Sequence, residues 1–334
     1  MPSLIQFTHP GYEHGPDRGS KNFKSWNTGG HRRKFLAAPG EYVMGNGRLQ
    51  TAELLFWGEW EAPSHVQELQ HSTSVKTGLY PKWLHRACSP VPSPPVAPSG
   101  ASSGCNPAKQ AIGSCGSCSD GSAGPQNTDP FVFGPCFKYF VCKQFQRRSN
   151  GGNLTAESRW LSGLERGSVI LFGCTHGKGA SAFFQLDTVF VVDRWITYNP
   201  AKPGNLPLDP LVDLDFLKAS FHTAMPITGC VVPASLELRL YLGATIEHSV
   251  DGMYSFSPAK VLKGAPVGFS RVQLRDKDLK LAGRAGLLTN NLNSAPKKTE
   301  ITQEDARTVW NTVLSKCRDH GCVPGVRFHL EPEA

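Results

Sequence analysis

The chain has 334 residues, of which 39% are hydrophobic and 10% aromatic, enough apolar material for a core and too much for a wholly disordered chain. Glycine and proline are abundant, at 34 and 26 residues, which belongs to turns and loops and excludes an all-helical bundle. Against 27 acidic side chains stand 35 basic ones, a formal net charge of +8, and such a surplus suits a polyanionic partner such as nucleic acid or a nucleotide.

At the N-terminus no basic stretch is followed by an apolar run, so no signal peptide is expected. The longest apolar runs are Ser168–Phe172 and Phe183–Val192, the second interrupted by Gln185 and Asp187. Neither reaches the ~18 residues a membrane span needs. The expectation is a soluble, cytoplasmic protein with no membrane partner.

Leu4–Thr8 reads as a short strand, and a polar, Gly-rich region follows it up to Gly47. Aromatic residues and a stop at Pro63 predict a strand over 52–61. Tyr80-Pro81 opens an extended or turn segment, because the residue before proline avoids the helical region. Residues 88–128 carry Pro90, Pro92, Pro94, Pro95 and Pro98 and then Gly/Ser-rich sequence, so they read as a flexible insertion. Dense apolar sequence resumes at 129. A short helix is predicted near 154–164, and two strands, 168–173 and 182–192, form a hairpin around a Gly-rich turn. Leu236–Leu242 alternates apolar and charged residues with period two, as a half-exposed strand does. Gly252–Pro258 is extended, and 284–298 is loop-like. Thr302 opens the clearest helix with a capping-box pattern. Ala306, Val309, Trp310, Val313, Leu314 and Cys317 form its apolar stripe, Gly321 ends it, and a last strand begins near Gly325. The expected fold class is α+β: a β-rich mixed or antiparallel sheet or pseudobarrel core with few helices and long loops. Residues 1–87 form the first part of that core with the candidate site, 88–128 the insertion, and 129–334 the remainder with the C-terminal helix.

Four stretches carry candidate chemistry. In Phe7-Thr-His-Pro-Gly-Tyr-Glu-His14, His9 and His14 flank Glu13 just after a strand, a set that can hold a metal or pair a base with an imidazole, although a polar surface loop has the same composition. In Trp26–Lys34, glycines precede His31, Arg32, Arg33 and Lys34, the densest positive run, suited to phosphate contact or else a solvated basic turn. In Phe56-Trp-Gly-Glu-Trp-Glu61, Trp57 and Glu59 share one strand face and Phe56 and Trp60 the other. A carboxylate framed by tryptophans suits acid–base work or base stacking, and the bland reading is an aromatic core strand. In 128–148, phenylalanines alternate with Lys138, Arg147 and Arg148, a pattern that fits either single-stranded nucleic acid or core packing.

Among the ten cysteines, Cys115 and Cys118 form a C-x2-C pair, and with Cys88 and Cys105 four thiolates could bind zinc. A zinc ribbon has two such pairs, and this chain has one, inside low-complexity sequence. Cys136 and Cys142 read as packing thiols.

The order Leu161-x-x-Leu-x-x-Gly-Ser-Val-Ile-Leu-Phe-Gly173, a loop, then Phe184-Gln-Leu-Asp-Thr-Val-Phe-Val-Val192 resembles the strand pair of PUA-like pseudobarrels, the class of the EVE and ASCH domains. The resemblance covers residues 161–192, without the aromatic-cage motif of EVE domains. It implies a small β-barrel that binds modified or flipped bases or RNA. Three functions are therefore expected in order: a reader or modifier of bases or nucleotides on a PUA-like core; a small-substrate, metal-dependent or metal-free hydrolase or transferase using His9, Glu13 and His14, with Glu59; and a zinc-stapled interaction protein.

Overall fold

The computed structural model describes residues 1–9, 11, 13, 33–60, 62, 64–69, 80–89, 128–141, 156–177, 181–200, 202, 204, 206–222, 236–279 and 297–331. In chain order the strands are β1 (Ser3–Thr8), β2 (Lys34–Val43), β3 (Leu49–Gly58), β4 (Ser64–Glu68), β5 (Trp83–Ala87), β6 (Lys138–Phe140), β7 (Val169–His176), β8 (Phe183–Tyr198), β9 (Leu238–Gly243), β10 (Ser257–Val261), β11 (Val272–Leu274), β12 (Lys297–Glu300) and β13 (Val323–Phe328). The helices are α1 (Ala156–Ser162), α2 (Leu214–Phe216), which continues as a π-turn over Leu217–Phe221, and α3 (Gln303–Asp319). The fold is β-rich α+β.

Two sheets form. One runs β12-β1-β7-β8-β9-β6, with β11 also on β8. The other runs β13-β10-β3-β2-β5-β4, and β13 pairs with β2 as well as β10, so β13, β10, β3 and β2 close a four-stranded ring. Both sheets are mixed, because β1 is parallel to β7 and β2 is parallel to β5 while their other pairings are antiparallel. Strands from before residue 88 and from after residue 128 share both sheets. The hairpin expected at 168–192 is present as β7–β8, and it lies in the first sheet rather than in the closed ring. No described helix is long and apolar enough to cross a membrane.

The period of two decides what each strand buries. On β3, Leu54 and Phe56 enter one core cluster, with Trp60, Phe131, Phe133 and Phe328, whereas Leu55 and Trp57 enter the other, with Phe35, Val189 and Trp310. On β7, Ile170 and Phe172 likewise part from Val169 and Leu171. Strands packed on both faces read as continuous apolar runs, which is the character of 168–172 and 183–192.

β2 occupies part of the stretch that reads as a polar, Gly-rich region. Its Pro39 lacks an N–H, yet the strand tolerates it: β5 pairs with 35–37 and β13 with 40–42, so Pro39 falls between the two partners and only its carbonyl is used, by the His329 N–H at 2.8 Å. The strand predicted over 52–61 is shifted to Leu49–Gly58, and Glu59 and Trp60 lie just past its end.

α3 follows its sequence signals closely. Thr302 Oγ1 accepts from the Asp305 N–H at 3.1 Å, and Asp305 Oδ2 accepts from the Thr302 N–H at 3.1 Å. At the other end Gly321 takes φ of 72°, which lets the Cys322 N–H reach the Cys317 carbonyl at 2.9 Å. Trp310 docks the helix by donating from Nε1 to the Tyr254 carbonyl at 2.9 Å. Replacing Thr302 with Ala is expected to lower stability by about 1 kcal/mol, read as a lower urea midpoint with an unchanged slope.

Candidate active site

The ends of β1 and β3 and the start of β2 meet beside β8. His9 follows β1 directly, its backbone N–H held by the Gly173 carbonyl at 2.8 Å. Glu59 follows β3, and Arg33 precedes β2. The Glu59 carboxylate sits 2.7 Å from His9 Nδ1 and accepts from Arg33 Nη1 at 3.0 Å. Arg33 Nε lies 2.9 Å from Asp187 Oδ2, and the other Asp187 oxygen lies 3.5 Å from Arg271 Nη1. Arg271, just ahead of β11, continues the chain of charges. Its Nη1 donates to Cys174 Sγ at 3.2 Å, its Nη2 donates to the Gly11 carbonyl at 2.6 Å, and its guanidinium lies 4.9 Å from the Trp57 ring centroid. Cys174 Sγ is 3.1 Å from His176 Nε2, two residues along β7.

Local strand geometry brings Asp187 into this chain. In the β7–β8 ladder Phe172 pairs with Thr188 and Gly173 with Leu186, so Asp187 is the extra residue of a β-bulge. A bulge re-aims the side chain it carries, and here it aims a carboxylate at two guanidinium groups.

The side chains of His9, Arg33, Glu59 and Asp187 are each 1% exposed or less. Burial opposes the charge on Arg33, but Asp187 and then Glu59 outweigh it and hold the guanidinium above its ordinary pKa, so it stays charged. Burial pushes the Cys174 thiol up to about 11 against the pull of Arg271, so it is protonated near neutrality. Burial, helped by Arg271, holds His176 below the ordinary imidazole value and leaves it neutral. Desolvating such ions is costly, and a well-packed apolar core would stabilise the fold at least as well. Chemically the arrangement can relay a proton through His9 and Glu59 and can bind an anion through guanidinium donors.

The structure brings together only part of what the sequence suggested. His9 and Glu59 meet. Glu59 is not the isolated acid between tryptophans that the strand pattern suggested, because His9 and Arg33 hold it in an ion-paired cluster. Glu13 faces elsewhere: its carboxylate accepts from the Lys82 and Trp83 N–H groups at 2.8–2.9 Å and so caps the start of β5. The basic run is expected either at a phosphate contact or on a solvated turn, and its two described members, Arg33 and Lys34, are buried. Trp57 offers no open stacking face, since its Nε1 donates to the Phe269 carbonyl at 2.8 Å beneath Arg271. Lys138 is buried too, paired with Asp213 at 2.7 Å. Cys88 is buried and donates to the Arg86 carbonyl at 3.5 Å, and no three metal-ligating side chains cluster among the described residues. His14, His31, Arg32, Arg147, Arg148, Cys105, Cys115 and Cys118 lie outside the described residues.

Cys174, His176, Asp187 and Arg271 were not anticipated. For Asp187 and Gln185 the signal was present, as polar residues interrupting a run that otherwise reads as a fully buried strand. Searches of protein-family models, of curated proteins and of solved structures return no match to this chain.

Proposed function

We propose that the protein is directed at nucleotides or at bases in nucleic acid, and that it modifies them rather than only reading them. One observation carries this reading: five ionisable side chains from five separate segments, His9, Arg33, Glu59, Asp187 and Arg271, converge in a buried chain of alternating charge. A scaffold gains little from such a chain, whereas a site for an anionic substrate needs both its donors and its proton relay. The net charge of +8 supports a polyanionic ligand, and the resemblance of residues 161–192 to PUA-like domains implies the same class of partner.

The test is filter binding of mononucleotides and of a single-stranded oligonucleotide over a salt series, with Arg271→Met beside the wild type. Affinity for the oligonucleotide is expected to fall as salt rises, and the substitution to weaken binding by about tenfold or more. A salt slope near zero together with equal affinities would overturn the reading. The His9–Glu59 contact at 2.7 Å favours a second reading, a hydrolase or transferase of a small substrate, in which His9 and Glu59 act without Glu13. Turnover of a small substrate that is not a nucleotide, with no binding of the mononucleotides or the oligonucleotide, would select it.

A further inference from the structure

We infer that Cys174, His176 and Gln185 form a nucleophilic centre for acyl transfer, with a thiol nucleophile, an imidazole base and an amide that orients the base. This goes beyond the nucleotide reading and does not depend on it.

Cys174 and His176 stand two residues apart on β7 and therefore on one face of the strand, with Sγ and Nε2 3.1 Å apart. Gln185 is the register partner of Cys174 on β8, and its Oε1 accepts from Sγ at 3.4 Å. The Gln185 side chain also hydrogen-bonds His176, and the imidazole is stacked on Phe183 with ring centroids 5.4 Å apart and planes within 17°. The base is thus held in plane by one neighbour and in rotation by another, the pattern expected of an activated nucleophile. A donor for a developing oxyanion is also in place, since Arg271 Nη1 lies 3.2 Å from the sulfur. Gly11 faces the pair with backbone alone. A Cβ there would lie 2.6 Å from Sγ and 2.9 Å from Nε2, so a side chain at this position would collide with the pair.

Because Cys174 is a thiol and His176 a neutral imidazole in the resting protein, the pair works by general-base catalysis rather than as a standing thiolate–imidazolium ion pair. As Sγ attacks the acyl carbon of an activated ester, the thiol proton passes to Nε2 and the carbonyl electron pair moves onto oxygen, toward the Arg271 guanidinium. Collapse breaks the bond to the leaving alkoxide, which takes the proton from Nε2. Water then cleaves the resulting thioester, with its proton going through the same imidazole, and Cys174 regains its hydrogen.

The test uses the full chain with p-nitrophenyl acetate. The expected result is a burst of about one equivalent of p-nitrophenolate and one acetyl group on the peptide that contains Cys174, found by mass spectrometry. Cys174→Ala is expected to abolish the burst. His176→Ala is expected to slow it about a hundredfold, with partial recovery in added imidazole, which a merely structural histidine would not show. Gln185→Leu is the second variant should His176→Ala fail to fold, with an expected slowing of about tenfold. Absence of a burst in the folded wild type, acetylation at another residue, or unchanged rates in the His176 and Gln185 variants would overturn the inference. Nucleotide binding measured on the same wild-type preparation reports on the other reading separately, so the two can fail independently.

Discussion

Glu59→Gln is expected to lower the unfolding free energy by about 3–5 kcal/mol and to abolish the proposed activity. The carboxylate is shared by His9 at 2.7 Å and Arg33 at 3.0 Å, all three out of solvent. The amide keeps the shape but not the charge, which leaves the Arg33 guanidinium with Asp187 as its one remaining counter-ion among the described residues. The penalty is mostly that of a buried cation left half-compensated, so it should be sub-additive with loss of the cation itself. In a cycle with Arg33→Met the double variant should be more stable than the sum of the two single losses predicts, by about 1–3 kcal/mol. Additive losses in chemical denaturation would show that the contact contributes nothing by itself.

Lys138→Met is the second large effect expected, a loss of about 3 kcal/mol. The Lys138 Nζ donates to the Phe133 carbonyl at 3.2 Å, the Cys136 carbonyl at 3.1 Å and Asp213 Oδ2 at 2.7 Å. Methionine satisfies none of those acceptors, and it also removes the ammonium that lies 5.3 Å from the Phe131 ring centroid and 5.7 Å from that of Phe216. The figure sits at the low end of the range for a broken buried pair because Asp213 keeps 26% of its side-chain exposure and can be rehydrated in part. Asp213 also caps α2 through the Phe216 N–H at 2.8 Å, so the variant should loosen that turn first, visible as faster amide exchange at Phe216. Unchanged stability would show that the lysine is a tolerated passenger rather than a clasp.

What could be read from the sequence was what local periodicity encodes. The α3 stripe, its capping box and its glycine stop each reflect interactions within a few residues, and all appear in the structure. The β7–β8 hairpin was legible for the same reason. β2 was not, because Pro39 and Gly40 act as breakers unless two different strands divide the far edge between them, and that is a property of the whole topology. The site divides in the same way. His9 and Glu59 stood out as chemistry beside strands, but nothing within a short window tells that the two strand ends adjoin. Asp187 depends on a one-residue bulge and Arg271 on a segment far along the chain, so neither could be placed by spacing. Burial of Arg33 and Lys34 is not legible in the basic run, because a cluster of cations normally seeks water. Arg33 turns inward only because two carboxylates from other strands await it.

The ring of β2, β3, β10 and β13 carries a consequence for biosynthesis. Its β2 emerges from the ribosome long before the partner that seals it, β13, because the two lie far apart along the chain. Until then β2 and β10 each present an unpaired rim of amide and carbonyl groups, the kind of surface that recruits stray strands from other chains. Nascent chains halted before Val323 should therefore depend on chaperone protection, and the emergence of β13 should mark the moment at which the barrel becomes safe from aggregation.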